Sequence, residues 1–248
     1  MGLFTSTLSQ MAFLLLLIFI GFFLTKKKII PAEGANLLSK LENNIFIPAL
    51  TLATFSQNFS VDQIGYAGQY FLCGLVVISV SAPLATMVSR FLTKDRYLRN
   101  IYTYSLAFGN FGFMGNAVVL GIFGEDVLFD YMIFTLPLCL YVYSFGTASL
   151  IPKKDNESTK FSLRVFLNPI CISMLLGGVA GITGLPIPKF LVTAVSSAGA
   201  CMSPLAMILT GFVVANFSII TLAKVKRIYL ASVLRLVVLP LVFVLVLK

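Results

Sequence analysis

The chain has 248 residues, of which 58% are hydrophobic and only 11% are charged, and its formal net charge at pH 7 is +9. Its mean hydropathy of +0.98 lies outside the range of a soluble globular domain. Runs of about twenty mostly apolar residues, each long enough to cross the hydrocarbon core of a bilayer, follow one another along the chain. Composition therefore excludes a soluble domain and predicts an all-α polytopic membrane protein.

Eight membrane spans are predicted along the chain. They cover residues 4–24, 36–56, 65–92, 101–123, 127–150, 166–183, 190–215 and 229–247. No basic segment precedes the first span, which continues directly into TKKKII, so we interpret it as a span and not as a cleavable signal peptide. The four cysteines lie in apolar segments without metal-ligand spacing, and histidine is absent, so the sequence implies no metal site, disulfide framework or cofactor.

The basic residues alternate between the two sides of the predicted membrane. Fifteen of the eighteen lie at the odd-numbered connections: Lys26, Lys27, Lys28, Lys40, Arg90, Lys94, Arg96, Arg99, Lys153, Lys154, Lys160, Arg164, Lys224, Lys226 and Arg227. By the positive-inside rule these connections are cytoplasmic and the N-terminus is outside, in a multi-pass protein of the cell membrane. Because membrane topology accounts for the placement of the basic residues, the net positive charge does not indicate a nucleic-acid partner.

The chain is predicted to contain an inverted repeat. A polar stretch, PKKDNESTKFSLR, follows five spans, and a second half after an odd number of spans enters the membrane upside down. FIPALTLATF in the second span resembles MSPLAMILTGF in the seventh, although a chance match between apolar segments is an alternative. We expect a first five-helix repeat at 1–151, a cytoplasmic linker at 152–165 and an incomplete second repeat of three helices at 166–248.

The fourth span contains GNFGFMGN, which is unusual for a membrane helix. Its glycines, which include Gly112 and Gly115, each lower helix stability by about 1 kcal/mol relative to alanine. Asn110 and Asn116 carry amides that need hydrogen-bond partners in the bilayer. The stretch favours a broken helix at a substrate site, where half-helix ends and free backbone groups line a cavity. A close helix crossing through small residues remains the alternative.

Polar residues also occur in the second and eighth spans. In LENNIFIPAL, Glu42 lies near the cytoplasmic end, while Asn43 and Asn44 either face the transport pathway or lie in the interface. Pro48 is expected to kink this helix. Arg235 in the eighth span either supplies a positive charge to an anionic substrate or extends its long side chain to the nearby interface.

The sequence contains no enzyme motif. It has no nucleophile and base pair, no GxSxG and no phosphate-binding loop with lysine, so we do not expect an enzyme.

NFGFMGN followed by AVVLGIFGED, with IPALTLATF before and RLVVLPLV after, resembles the auxin efflux carrier family, in particular its bacterial malonate- and malate-permease-like members. The resemblance implies a ten-span, 5+5 inverted repeat similar to the bile-acid symporters and sodium/proton antiporters. In that fold the fourth and ninth spans are broken and cross each other at the substrate site. The resemblance implies that Asn110, Gly112 and Gly115 lie at this crossing. Asn43, Asn44 and Pro48 then form the neighbouring wall of the site.

Two features depart from that family's pattern. Many members have proline where this chain has Asn116, and the second crossover would lie beyond Lys248, so we expect a C-terminally short chain.

The resemblance implies a secondary transporter of small organic anions such as malonate, malate or auxin-like carboxylates, working by alternating access. A coupling proton or sodium ion and a homodimer are compatible with it. The alternatives are a non-transporting truncated membrane protein and an ion-coupled antiporter or channel of the same fold.

Overall fold

The computed structural model describes residues 2–31, 34–146, 150, 167–218, 221 and 224–246. The helices within these residues are α1 Leu3–Lys26, α2 Gly34–Leu41, α3 Ile47–Asn58, α4 Ile64–Leu92, α5 Arg96–Ala107, α6 Asn116–Phe123, α7 Glu125–Tyr141, α8 Pro169–Thr183, α9 Lys189–Ala200, α10 Met202–Ala215, α11 Lys226–Val233 and α12 Leu239–Val246. Wider π-helical segments occupy Glu42–Phe46, Phe111–Gly115, Val142–Gly146 and Leu234–Val238. The described part of the chain is thus entirely helical apart from its connections, as predicted.

Five helical segments in the described residues are long and apolar enough to cross a membrane: Phe4–Lys26, Val61–Leu92, Arg96–Phe123, Glu125–Ser144 and Lys189–Ala215. A shorter apolar helix covers Pro169–Thr183. The predicted second and eighth spans are helical but each contains a π-helical segment. The predicted linker at 152–165 lies outside the described residues. The protein is a multi-pass membrane protein.

The described helices form two compact units, and each unit contains segments from both predicted repeats. The first comprises Met1–Gly74, Asn110–Pro137 and Leu163–Asn216, and the second comprises Leu75–Gly109, Leu138–Ser162 and Phe217–Lys248.

In the first unit, α1 packs along α10 and α3 packs along α8. Glycines let the paired backbones approach each other closely. A Cβ atom at Gly21 or Gly211 would collide with backbone of the facing helix, at Ile208 and Ile18 respectively. Gly177 in α8 likewise faces the carbonyl oxygen of Leu52 in α3. Small residues at close helix crossings are a common packing device in membranes, where van der Waals contact drives association.

The core of the first unit lies where these pairs meet α6 and α7. Its most buried side chains include Leu14, Leu128, Met202 and Met207, each with no exposed surface. The ring of Phe55 in α3 packs edge-on against Phe129 in α7, with 5.1 Å between centroids. This packing surrounds the second half of the fourth span and holds it in place.

In the second unit, the end of α4 packs beside α5 through a partly buried hydroxyl pair, with 2.8 Å between Ser89 Oγ and Thr103 Oγ1. The connection between them is short because Asp95 begins α5 as its N-cap. Its Oδ1 accepts a hydrogen bond from the backbone N–H of Leu98 at 2.8 Å.

Candidate substrate-binding site

The fourth span is broken, as predicted from its glycines and asparagines. Helix α5 ends at Ala107, Phe108 is extended with φ −118° and ψ 134°, and helix resumes at Phe111. Asn110 caps the new segment: its Oδ1 accepts from the N–H of Phe113 at 3.3 Å. Its carbonyl oxygen accepts from the N–H of Gly115 at 2.9 Å. The second half-helix, residues 111–123, therefore begins at a residue whose side chain satisfies one of its free N–H groups.

The glycines of this stretch have different surroundings. A Cβ atom at Gly112 would meet nothing within 4 Å, so close helix packing does not explain this glycine. At Gly115 a Cβ atom would collide with the hydroxyl of Tyr131. That hydroxyl donates a hydrogen bond to the carbonyl oxygen of Phe111 at 3.0 Å. Gly115 thus makes room for a side chain that stabilises the first turn after the break.

A cavity of about 540 Å³ lies at the start of this half-helix, within the first unit. Its hydrogen-bonding side chains are Asn36, Ser39, Asn110 and Thr210. Its apolar lining is Ala35, Phe113, Ala206, Leu209, Val213 and Val214. The volume falls in the range of small-molecule sites, which combine apolar walls with a few orienting polar groups. Among the described residues, no charged side chain lines it.

Two helix N-termini border the cavity. Ala35 and Asn36 lie in the first turn of α2, which begins at Gly34, and Asn110 is the N-cap of the 111–123 half-helix. Free N–H groups and the helix dipole give such ends a partial positive charge that favours an anion. The side-chain amide nitrogens of Asn36 and Asn110 donate to no other described residue. The described lining therefore combines hydrogen-bonding side chains with apolar ones and includes no charged side chain.

Asn43, Asn44 and Pro48, predicted as a wall of the site, are absent from this lining. Asn43 Nδ2 donates to the carbonyl oxygen of Ser39, and Asn44 Nδ2 donates to that of Lys40, both at 2.8 Å. These bonds stabilise the π-helical segment that precedes Pro48, a residue with no N–H for the helix ladder. Ser39, the partner of Asn43, does line the cavity.

Asn116 lies one turn beyond the break, at the first position of α6, and its side chain is buried. It is not part of the cavity lining. Of the predicted site residues, the structure places only Asn110 in the lining, with Gly112 and Gly115 in the turn that follows it.

Arg235 belongs to the second unit, where its Nη1 donates a hydrogen bond to the carbonyl oxygen of Ser105. Ser105 lies in the last turn of α5, and the carbonyls of a last helical turn lack partners from the next turn. A positive charge at a helix C-terminus also complements the helix dipole. Arg235 therefore stabilises the first half of the broken span.

Glu42 is the polar residue whose position the sequence predicted least well. The sequence predicts Glu42 near the cytoplasmic end of the second span, and in the structure its side chain has 0% exposure. Neither carboxyl oxygen has a hydrogen-bond partner in the described structure. Glu42 begins a π-helical segment that packs against α8, α9 and α10. A charged carboxylate without partners is very costly to bury, so a neutral carboxylic acid fits this environment.

Comparison with known proteins identifies the family. The family model for membrane transport proteins matches residues 6–161 and 154–248. An uncharacterized transporter of Methanocaldococcus jannaschii is 33% identical over 118 residues, which cover 46% of this chain and 37% of that protein. The match therefore spans well under half of that relative's length. The family model, by contrast, covers most of the present chain. The chain therefore belongs to the membrane transport protein family.

Proposed function

We propose that the protein is a secondary transporter of small organic anions, such as malonate, malate or auxin-like carboxylates, across the cell membrane by alternating access. Membership of a transport family supports a transported substrate, and the resemblance to auxin efflux carriers suggests its class. The observation that carries the proposal is the cavity at the broken fourth span, where amide donors and two helix N-termini meet and no charged side chain of the described residues contributes to the lining.

In this proposal a carboxylate of the substrate accepts hydrogen bonds from the amides of Asn36 and Asn110. Hydrogen bonds to a charged acceptor contribute about 1.5–3 kcal/mol each. The carbon skeleton then contacts Phe113 and Leu209 on the apolar wall. Amide donors bind an anion without holding it as tightly as a buried arginine would, and a carrier must also release its substrate.

The packing of the first unit supports the inverted repeat in this proposal. Aligning Pro48 with Pro204 also aligns Gly21 with Gly177, and Leu52 with Ile208. Gly21 closely approaches Ile208, and Gly177 closely approaches Leu52. Exchanging the two halves of the sequence therefore converts one contact into the other. A pseudo-twofold axis that relates α1 and α10 to α8 and α3 would produce this exchange.

The interruptions of the second and seventh spans are related in the same way. The alignment places Cys201, which separates α9 from α10, opposite Ile45 in the π-helical segment between α2 and α3. Both spans are thus divided at equivalent positions. Many carriers with duplicated architecture alternate access by rocking one repeat or bundle against the other around a fixed site.

We propose further that Glu42 carries the coupling proton. It would bind a proton in the arrangement described here, where its carboxyl is buried and has no hydrogen-bond partner among the described residues, and release it when rearrangement exposes it. The helices packed against its segment are α2, α3, α8, α9 and α10. Their ionisable side chains are Lys40, Cys171 and Lys189, and none bonds to Glu42.

Uptake by the purified protein in proteoliposomes tests the substrate class. We expect accumulation of one or more radiolabelled acids from a panel of malonate, malate and an indole acid. Asn36→Asp, which adds a negative charge to the cavity, should abolish this uptake through repulsion. Asn44→Asp, outside the lining, is the matched control and should retain it. Absence of uptake for every acid would favour the alternative of a non-transporting membrane protein.

The coupling assignment has a separate test. Glu42→Gln keeps the shape and neutrality of the buried acid but cannot release a proton. We expect the variant to retain exchange of labelled for unlabelled substrate and to lose the stimulation of uptake by a pH gradient. Glu125→Gln, at an exposed position in the first turn of α7, should leave the stimulation unchanged. Stimulation that persists in Glu42→Gln would overturn the assignment.

A further inference from the structure

The second unit contains a basic cavity that the transport site does not use. Its volume is about 370 Å³, and Arg90, Arg96 and Arg99 all line it. None of these guanidinium groups forms an ion pair within the described part of the chain. Asn100 and Thr103 add hydrogen-bonding groups to the same wall.

Membrane topology alone explains why this connection is basic, but not why the charges converge. Arg96, Arg99, Asn100 and Thr103 follow the i, i+3, i+4, i+7 spacing that places side chains on one face of a helix. Arg90 reaches the same cavity from the last turn of α4. The partly buried hydroxyl pair between Ser89 and Thr103 fixes the two helices beside each other. The arginines therefore surround one space, with the N-terminal end of α5 adding a partial positive charge.

A second cavity of about 600 Å³ continues from the first along α4. The two share Ala82, Thr86, Arg90 and Tyr141 as lining residues. Beyond Arg90 the lining becomes more apolar, with Ile78, Pro83 and Met87. Met87 is 54% exposed, so this part opens at the surface of the unit. One end of the combined space thus suits an anion, and the other suits a hydrocarbon chain.

We propose that this combined space binds an anionic phospholipid, with the phosphate of its headgroup at Arg90, Arg96 and Arg99 and an acyl chain along Ile78, Pro83 and Met87. Basic pockets between membrane helices on the cytoplasmic side bind such headgroups. The apolar extension favours a lipid over a free anion, which would use only the basic end. The proposed lipid site shares no lining residue with the cavity at Asn110 and does not depend on which substrate is transported.

Native mass spectrometry of the detergent-purified protein tests the proposal with phosphatidylglycerol, phosphatidylethanolamine and inorganic phosphate as separate probes. We expect phosphatidylglycerol to bind in preference to phosphatidylethanolamine. Arg96→Gln and Arg99→Gln should each weaken its binding about fivefold. Lys94→Gln removes a charge from the same connection but not from the cavity lining and should have little effect.

Ser79→Phe distinguishes a lipid from a free anion. Ser79 is exposed and lines only the apolar cavity, so a large side chain there should block the acyl chain without disturbing the core. We expect it to reduce phosphatidylglycerol binding. Equal binding to wild type and Ser79→Phe, or saturation by inorganic phosphate alone, would overturn the lipid assignment. An equal loss in Lys94→Gln and Arg96→Gln would show attraction to the charged surface and overturn the site.

Discussion

At the scale of single residues, the two polar atoms of the Asn110 side chain have different surroundings, and only one of them is bonded within the described structure. The Oδ1 atom caps the half-helix through Phe113, while the Nδ2 atom remains available to an acceptor in the cavity. An aspartate at this position would retain the cap but replace the donor by a negative charge. In the proposed transport site, the helix break and substrate binding would therefore depend on the same amide.

Arg235 is expected to contribute to stability through its bond to the carbonyl of Ser105. Arg235→Ala leaves that carbonyl without its partner, which should cost about 1–3 kcal/mol and lower the Tm of the detergent-purified protein. Arg227→Ala removes a charge from the start of the same helical segment and serves as the control. If both variants lowered the Tm equally, the loss would reflect net charge and not the bond to α5.

The residues that could be predicted from sequence are those whose role depends on their neighbours along the chain. Asn110 and Gly112 predict a helix break because both residue types lower helix stability locally. Asn36 and Thr210 carry no such local pattern, and they reach the cavity only because α2 and α10 pack beside the break. Burial of Glu42 and the bond between Arg235 and Ser105 likewise depend on contacts between distant segments.

At the scale of helices, the close crossing of α1 and α10 is expected to depend on Gly21. A Cβ atom there would collide with the backbone of Ile208, which cannot rotate away as a side chain can. Gly21→Ala should therefore destabilise the protein by about 1–3 kcal/mol, measured as a lower Tm. Gly68→Ala in α4 meets nothing within 4 Å and is the matched control.

The position that the proposed repeat relates to Gly21 makes the same test more specific. Gly177 approaches Leu52 as Gly21 approaches Ile208, so Gly177→Ala should also lower the Tm. A large effect at one glycine and none at its counterpart would contradict equivalent roles for the two crossings.

Sequence similarity between Phe46–Phe55 and Met202–Phe212 predicted that the second and seventh spans correspond. Which helices contact them could not be predicted, because apolar faces in membranes carry little pairing information.

At the scale of the whole molecule, orientation follows from the placement of basic residues. We predict that the connection after α4 is cytoplasmic and that the connection between α3 and α4 is outside. In a variant without its native cysteines, Ser60→Cys should react with a membrane-impermeant maleimide in intact cells. Lys94→Cys should react only after permeabilisation. The reverse pattern would show that the N-terminus is cytoplasmic.

The most direct test of the binding site compares initial rates of radiolabelled acid uptake in Asn110→Ala and Asn44→Ala proteoliposomes. Asn110 lines the cavity, whereas Asn44 bonds to the carbonyl of Lys40 and lies outside the lining. Loss of a hydrogen bond to a charged substrate is worth about 1.5–3 kcal/mol, so we predict a decrease of about tenfold or more in uptake at low substrate concentration for Asn110→Ala. Asn44→Ala should remain near the wild-type rate. Wild-type uptake by Asn110→Ala, or an equal loss in both variants, would contradict a substrate site at the broken fourth span.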